Sequence, residues 1–224
     1  MKLQFLGTGA ADWDTNVARD SEYRRFCSAL VDGELLIDPG PFVLEAIETF
    51  DVDVTKIKYV VNTHRHGDHY NEKTLSFLTE KGARFIDFLA GETKTVGKYT
   101  IEAVKGNHGA IPTVHFFIDD GEKRLFYALD GAWLLAEEIT AIKRKYVHLA
   151  VLDGTIGDAV GDYRIFEHCN LRMIEEMKSS LLQYIDRFMI THMARTLHTD
   201  HKTLVTRMAK SEIEVACDGM ITEI

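Results

Sequence analysis

Three histidines and one aspartate fall within six consecutive residues, a segment that starts at His64 and ends at His69. Side chains at alternate positions of an extended loop point the same way, so His64 and His66 can bind one metal ion. Asp68 and His69 follow where a helix is predicted to begin, and they can turn towards a second ion. Gly67 is expected to permit the sharp turn between the pairs. Imidazole with carboxylate is typical of zinc, manganese and iron sites.

Short apolar runs rich in β-branched and aromatic residues predict the strands that position this motif. The predicted strands are Leu3–Leu6, Ser28–Val31, Leu35–Ile37, Lys58–Val61, Tyr99–Val104, Val114–Ile118, Leu125–Ala128, His148–Leu152, Phe188–Ile190 and Glu214–Ala216. Gly33 and Gly121 separate neighbouring runs and predict hairpin turns.

Helical patterns are fewer than strands, and two of them come with a candidate N-cap. The predicted helices are Phe42–Phe50, Glu72–Lys81 capped by Asn71, Leu134–Lys145, Leu171–Gln183, and Lys202–Lys210 capped by Thr199. Paired strands followed by strands that alternate with helices predict an α+β or αββα layering. No linker or repeat interrupts the chain, so one domain over residues 1–224 is expected.

Composition excludes several classes of function. No apolar stretch reaches the roughly 18 residues of a transmembrane helix, so no membrane association is expected. The formal charge of −9 disfavours a nucleic-acid partner, because an acidic surface repels polyanions. Three scattered cysteines and no signal peptide predict a cytoplasmic protein.

The pattern His64-x-His66-x-Asp68-His69 after an apolar strand resembles the signature of the metallo-β-lactamase-fold hydrolases. Further segments resemble that family in the same order, namely Leu6–Gly9, Leu36–Gly40, Tyr127–Asp130 and Ile190–His192. The resemblance spans nearly the whole chain. It implies a four-layer αββα sandwich with a metal site at one edge between the two sheets.

The resemblance also implies the remaining metal ligands. His108 matches the third histidine of the first metal, with His115, inside a predicted strand, as the rival. Asp130 matches the aspartate that bridges the ions, and His192 matches the last ligand of the second. The implied sets are His64, His66, His108 and Asp130 for one ion, and Asp68, His69, His192 and Asp130 for the other. The cofactor is thus expected to be two divalent ions, Zn, Mn or Fe.

An aspartate rather than a cysteine at position 130 argues against a β-lactamase. Three segments resemble the cyclic-phosphate phosphodiesterase of phosphonate breakdown, namely Glu22–Ser28, Glu167–Leu171 and Ile213–Ile224. That enzyme has an additional active-site histidine, which His168 matches. His168 is therefore a candidate general acid, the alternative being an exposed residue near a helix start. Asp68 is the second candidate catalytic residue.

Several further residues could contact the substrate or have a purely structural role. Arg24 and Arg25 are candidate substrate contacts for a phosphate group, Arg25 being the preferred one, although one of the two could instead form a structural ion pair. Trp13 could stack on a base or simply pack. His198 and His201 could face the site or lie exposed beside the last helix.

One departure from the phosphonate enzyme concerns the long polar loop Gly7–Cys27, which is expected to be functional or mobile. The family's structural zinc site uses cysteines in this loop, whereas here no cysteine precedes Cys27. Its partner histidine is replaced by Arg195. No third metal is expected, and the same substrate cannot be assumed.

The sequence therefore predicts a dinuclear metal-dependent phosphodiesterase acting on a small cyclic or nucleotide-like phosphodiester. An RNA-processing endonuclease similar to the tRNA 3′-end endonuclease shares the ligand set, but this chain lacks a basic arm. A lactonase or thioesterase would use the same ions to polarise a carbonyl. A non-catalytic metal-binding module is a further alternative, against which the complete ligand set argues.

Overall fold

The computed structural model describes residues 1–13, 16 and 18–224, and it divides into two compact units. Unit 1 comprises Met1–Phe88 and Ala216–Ile224, and unit 2 comprises Leu89–Val215. The Gly7–Cys27 loop is expected to be functional or mobile. Part of that expectation concerns residues 14, 15 and 17, which lie outside the described residues. The single-domain organisation over residues 1–224 stays a prediction.

Thirteen strands and five α-helices make up the two units in the part of the chain that the structure describes. In chain order they are β1 (Lys2–Gly7), β2 (Ser28–Val31), β3 (Leu35–Ile37), α1 (Val43–Thr49), β4 (Tyr59–Val61), α2 (Glu72–Glu80), β5 (Arg84–Phe85), β6 (Thr93–Val96), β7 (Tyr99–Lys105), β8 (Val114–Asp119), β9 (Arg124–Ala128), α3 (Ala136–Lys145), β10 (Val147–Asp153), α4 (Leu171–Leu181), β11 (Ile185–Thr191), α5 (His201–Ala209), β12 (Ile213–Val215) and β13 (Ile221–Glu223). Among these helices, none combines the length and hydropathy needed to cross a bilayer.

Unit 1 is built on a six-stranded mixed sheet in the order β13-β1-β2-β3-β4-β5. Strands β2 and β3 form an antiparallel hairpin, whereas β3 and β4 run parallel. Leu36 and Val60, which pair in the parallel register, pack with Ala46 of α1 in one buried apolar cluster. Because the carboxyl ends of β3 and β4 meet at one edge, the segments that follow these strands lie side by side there.

Unit 2 is built on a seven-stranded mixed sheet in the order β12-β11-β10-β9-β8-β7-β6. Strands β6 to β9 are antiparallel neighbours, and β9, β10, β11 and β12 are parallel. Phe126, Ala150 and Phe188 of this sheet share an apolar cluster with Ile142 of α3 and Ile174 of α4. The alternation of strand and helix thus gives parallel strands whose carboxyl ends share one edge.

The α+β prediction is confirmed, since the predicted strands and helices all occur with ends shifted by a few residues at most. Both hairpins are present, with Gly33 and Gly121 at positive φ. The sequence missed β5, β6 and β13, which are short and partly polar. The predicted cap Thr199 is wrong, because α5 begins at His201 and the carboxylate of Asp200 accepts the free Thr203 N–H.

Candidate metal centre

The edge formed by β3 and β4 in unit 1 is organised around Asp38, which follows β3 directly and is fully buried. Its Oδ1 accepts hydrogen bonds from Asn62 Nδ2 at 3.0 Å and from the Thr63 amide at 2.7 Å. Its Oδ2 lies 2.9 Å from Nδ1 of His69. One carboxylate therefore anchors the start of the histidine segment and orients its last histidine.

His64 and His66 face one another within unit 1, as their alternate spacing predicts. Nε2 of His64 lies 2.9 Å from Nδ1 of His66. Two ring nitrogens so close can both point at one ion, with the Thr63 hydroxyl 3.1 Å from the other nitrogen of His64. The pair therefore fits half of a tetrahedral metal site.

Asp68 and His69 form a second pair in unit 1. With Nδ1 of His69 donating to Asp38, Nε2 is left 3.4 Å from Oδ2 of Asp68. Gly67 lies in the turn between the two pairs, but the backbone does not require glycine at this position. Gly67 has no positive φ, and a Cβ there would meet nothing within 4 Å. The turn is made by ordinary amide bonds from His69 and Tyr70 to the His66 carbonyl.

Three acidic or imidazole side chains meet at the carboxyl ends of the central parallel strands of unit 2. Asp130 follows β9, Asp153 ends β10, and His192 follows β11, and all three are buried. Asp130 has φ of 52° and His192 has φ of 61°. These positive values turn the backbone away from the strand that each residue follows. Nε2 of His192 lies 3.2 Å from Oδ1 of Asp130. The sheet thus brings together two predicted ligands and one residue that was not predicted.

The Thr155 side chain sets the orientation of His192. Nδ1 of His192 lies 2.7 Å from the Thr155 hydroxyl, which can itself donate to the His192 carbonyl at 3.1 Å. These contacts fix the orientation of the His192 ring, with Nε2 on the side of Asp130.

His168 belongs to the same unit 2 cluster. Its Nδ1 lies 2.7 Å from Oδ2 of Asp153 and 3.4 Å from Oδ1 of Asp130. Burial alone would lower the pKa of His168, but the neighbouring Asp153 and Asp130 carboxylates outweigh it and raise that pKa to about 9. One ligand atom from each of Asp130, Asp153, His168 and His192 lies within 4.8 Å of the others, so these residues could hold a cation.

His108 and its rival His115 occupy different environments in unit 2. Nδ1 of His108 lies 3.1 Å from the Glu167 carbonyl, which orients the His108 ring. Both ring nitrogens of His115 are engaged instead, by Glu138 at 2.6 Å and by the Leu129 carbonyl at 3.0 Å. Burial would lower the pKa of His115, but Glu138 outweighs it and raises that pKa. The hydrogen bonds therefore favour His108 as the ligand.

The candidate phosphate contact Arg25 is engaged by protein groups. Its guanidinium bonds to Glu45, Asp218 and Thr49, and it lies over the Phe50 ring. These contacts are typical of a structural ion pair. A contact between Arg25 and the substrate stays a prediction.

The other residues of interest have structural contacts. Arg24 is buried and donates to the Thr8 hydroxyl at 2.7 Å. Trp13 is buried against the Tyr23 ring. His198 lies 2.6 Å from the Gly154 carbonyl, and His201 is the half-buried first residue of α5.

Sequence reasoning assigned no role to Asp38, Asp153 or Thr155. Asp38 and Asp153 each stand at the end of a predicted strand, as Asp130 and His192 do. This shared placement could have indicated that the four residues belong to the site, because adjacent parallel strands bring their carboxyl-end residues to one edge of a sheet.

Comparison with known proteins agrees with this architecture. The model of the metallo-beta-lactamase superfamily matches residues 28–71, which include the histidine segment. No curated protein sequence matches the chain. The metallo-beta-lactamase fold protein YhfI from Bacillus subtilis is similar over 100% of this chain and 99% of its own, with TM-score 0.78 and 18% identity.

Two further solved structures are similar over nearly their full length. A diphosphatase from the PhnP family aligns over 100% of this chain and 97% of its own, with TM-score 0.74 and 18% identity. The short form of human tRNase Z aligns over 100% of this chain and 99% of its own, with TM-score 0.71 and 17% identity. Two mixed sheets with their helices, the histidine segment and these similarities together show that the chain has the metallo-β-lactamase fold.

Proposed function

We propose that this chain is a dinuclear metal-dependent hydrolase that cleaves a small phosphodiester, cyclic or nucleotide-like. One observation carries the proposal. His69, His108 and His192 each engage Nδ1 with an oxygen of their own unit, which fixes the orientation of each imidazole ring. A histidine that binds a metal is usually held by its other nitrogen in this way.

The donor set fits divalent ions such as Zn, Mn or Fe, because it consists of imidazole nitrogens and carboxylate oxygens. The proposed ligands are His64, His66, His108 and Asp130 for one ion, and Asp68, His69, His192 and Asp130 for the other. When bound, such ions lower the pKa of water and neutralise charge on phosphoryl oxygens. We infer this pairing of ligands from the family resemblance and the shared fold.

The protein residues around the ligands supply proton transfer. Asp153 holds His168 by Nδ1, so Nε2 is the nitrogen that can donate to the departing alkoxide. Asp68 is the second candidate catalytic residue, and its carboxylate can accept a hydrogen bond from the attacking water. An alkoxide is a poor leaving group, so a fixed acid suits a phosphodiester better than an activated ester.

The comparisons support a phosphorus substrate in general terms. One similar structure is described as a diphosphatase and another as a tRNase. The likeness to tRNase Z keeps an RNA endonuclease as the second candidate function. The charge of −9 favours a small-molecule substrate over tRNA. We also propose that the protein acts in the cytoplasm.

The test combines metal analysis with a substrate panel. Protein stripped with a chelator is reconstituted with Zn²⁺, Mn²⁺ or Fe²⁺, and the bound metal is measured by elemental analysis. We expect about two ions per chain, from the two ligand sets, and activity on bis-p-nitrophenyl phosphate that exceeds activity on lactones and thioesters. Full activity with one ion would overturn the dinuclear mechanism, and preferential lactone or thioester hydrolysis would overturn the phosphodiesterase assignment.

A further inference from the structure

A buried charged pair in unit 2 lies outside the proposed ligand sets. His115 of β8 and Glu138 in the first turn of α3 are 2% and 0% exposed, and Nδ1 of His115 lies 2.6 Å from Oε1 of Glu138. The opposite nitrogen, Nε2, donates to the Leu129 carbonyl at 3.0 Å. Leu129 immediately precedes Asp130, so the His115 ring holds the peptide from which the Asp130 side chain extends.

The His115 ring lies between the two loops that carry proposed ligands of unit 2. A Cβ on Gly106 would come within 2.8 Å of Nε2, and a Cβ on Gly131 would come within 2.8 Å of Cε1. Glycine at both positions therefore lets the ring contact the backbone beside His108 on one side and beside Asp130 on the other.

The same two loops are also bonded directly to each other. The Ala132 amide donates to the Asn107 carbonyl at 3.0 Å, and the Asn107 side chain donates to the Trp133 carbonyl at 3.1 Å. A displacement of either loop would therefore move the other.

Glu138 extends this arrangement to a helix. Its second oxygen accepts the amide of Leu135 at 2.6 Å, at the start of α3. One carboxylate thus ties the His115 ring to the segment that leads from Asp130 into α3. Asp130 itself has φ of 52°, a backbone conformation that is held only when its surroundings determine it.

A contribution to the stability of the fold does not by itself explain why this pair is buried here. Replacing a buried ion pair by apolar residues of similar volume is often neutral or stabilising. In contrast, removing a group that holds a metal ligand in place commonly weakens metal affinity.

We propose that His115 and Glu138 are positioning residues, which hold the loops of His108 and Asp130 in the arrangement that binds metal. The inference rests on the proposed function.

The experiment separates positioning from stability. The variants are His115→Leu, Glu138→Leu and the double variant, with Ile213→Ala as a buried control in β12, which two strands separate from β9. Each is measured for thermal unfolding without metal, and for Co²⁺ affinity and Co²⁺ absorption spectrum by competition with a chelator. We expect each single variant to lose stability, because one charged partner stays buried alone.

The decisive comparison is the double variant. We expect its melting temperature to return towards that of the wild type while its Co²⁺ affinity stays about 10- to 100-fold weaker, with an altered spectrum. Ile213→Ala should lose stability and keep the wild-type affinity and spectrum. If the double variant does not fold, Glu138→Gln replaces it as the conservative variant. That variant should bind Co²⁺ more tightly than Glu138→Leu.

Four outcomes would contradict the inference. A folded double variant with wild-type affinity and spectrum would show that the pair is only structural, as would equal affinity losses in Glu138→Gln and Glu138→Leu. Failure of the wild type itself to bind Co²⁺ would overturn the proposed function and this inference together. Normal wild-type binding with no effect of the variants would overturn this inference alone.

Discussion

Nδ1 of His168 lies 2.7 Å from a carboxylate oxygen of Asp153, so the orientation of the imidazole is set by a buried residue at the end of β10. Asp153 is itself held, because its Oδ1 accepts the Thr155 amide at 2.8 Å. The two residues form a hydrogen-bonded pair, and in the proposed mechanism Nε2 of His168 donates to the leaving group.

Replacing His168 by alanine should leave metal content unchanged and lower the rate on a substrate with an alkoxide leaving group by roughly 10²–10⁴. The loss should be small for a p-nitrophenolate leaving group, which departs without a proton. Steady-state kinetics on both substrates make the comparison. His148→Ala, at the beginning of β10, is the matched control. An equal loss on both substrates would point instead to phosphate binding, and no loss would remove His168 from the mechanism.

Asp153→Asn should lower the rate on the alkoxide substrate towards the level of His168→Ala. An asparagine offers a single acceptor oxygen, whereas the native carboxylate serves both His168 and the Thr155 amide. Because the two residues act as a unit, the double variant should be no slower than His168→Ala. Kinetics of the single and double variants test this. Multiplying losses would show that Asp153 acts independently of His168.

Removing the Asp130 carboxylate tests the bridging assignment. Asp130→Ala should lose one of the two ions and at least roughly two orders of magnitude in rate, because the ligand is shared by both proposed sets. Elemental analysis and kinetics are the measurements. Asp186→Ala, an exposed carboxylate on β11, should keep both ions and full activity. Survival of metal content and rate in Asp130→Ala would show that the residue is not a bridge.

Weak association with tRNA is expected at physiological salt, with no specific processing of a precursor. The net charge of −9 opposes the phosphate contacts that supply most of such binding. Gel-shift titration and a cleavage assay on pre-tRNA test this, with an active tRNase Z as the positive control. Specific cleavage at nanomolar enzyme would favour the endonuclease instead of the small-molecule phosphodiesterase.

Local sequence predicted all five helices, ten of the thirteen strands and the histidine segment. The spacing of His64, His66, Asp68 and His69 after an apolar strand predicted facing pairs, and the pairs do face one another within unit 1. That inference needs only the alternation of side chains along an extended segment, a property of the backbone itself. Asp130 and His192 were found because each resembles a family motif.

The sequence alone left the partners of these residues undetermined. Asp38 holds His69 from a position 31 residues earlier, and Asp153 holds His168 from 15 residues earlier. Both contacts depend on which strands are neighbours. β10 lies between β9 and β11, and this order delivers Asp130, Asp153 and His192 to one edge of the sheet. Strand order arises from long-range packing of apolar faces, which no local pattern specifies, so only the tertiary structure decided which polar groups meet.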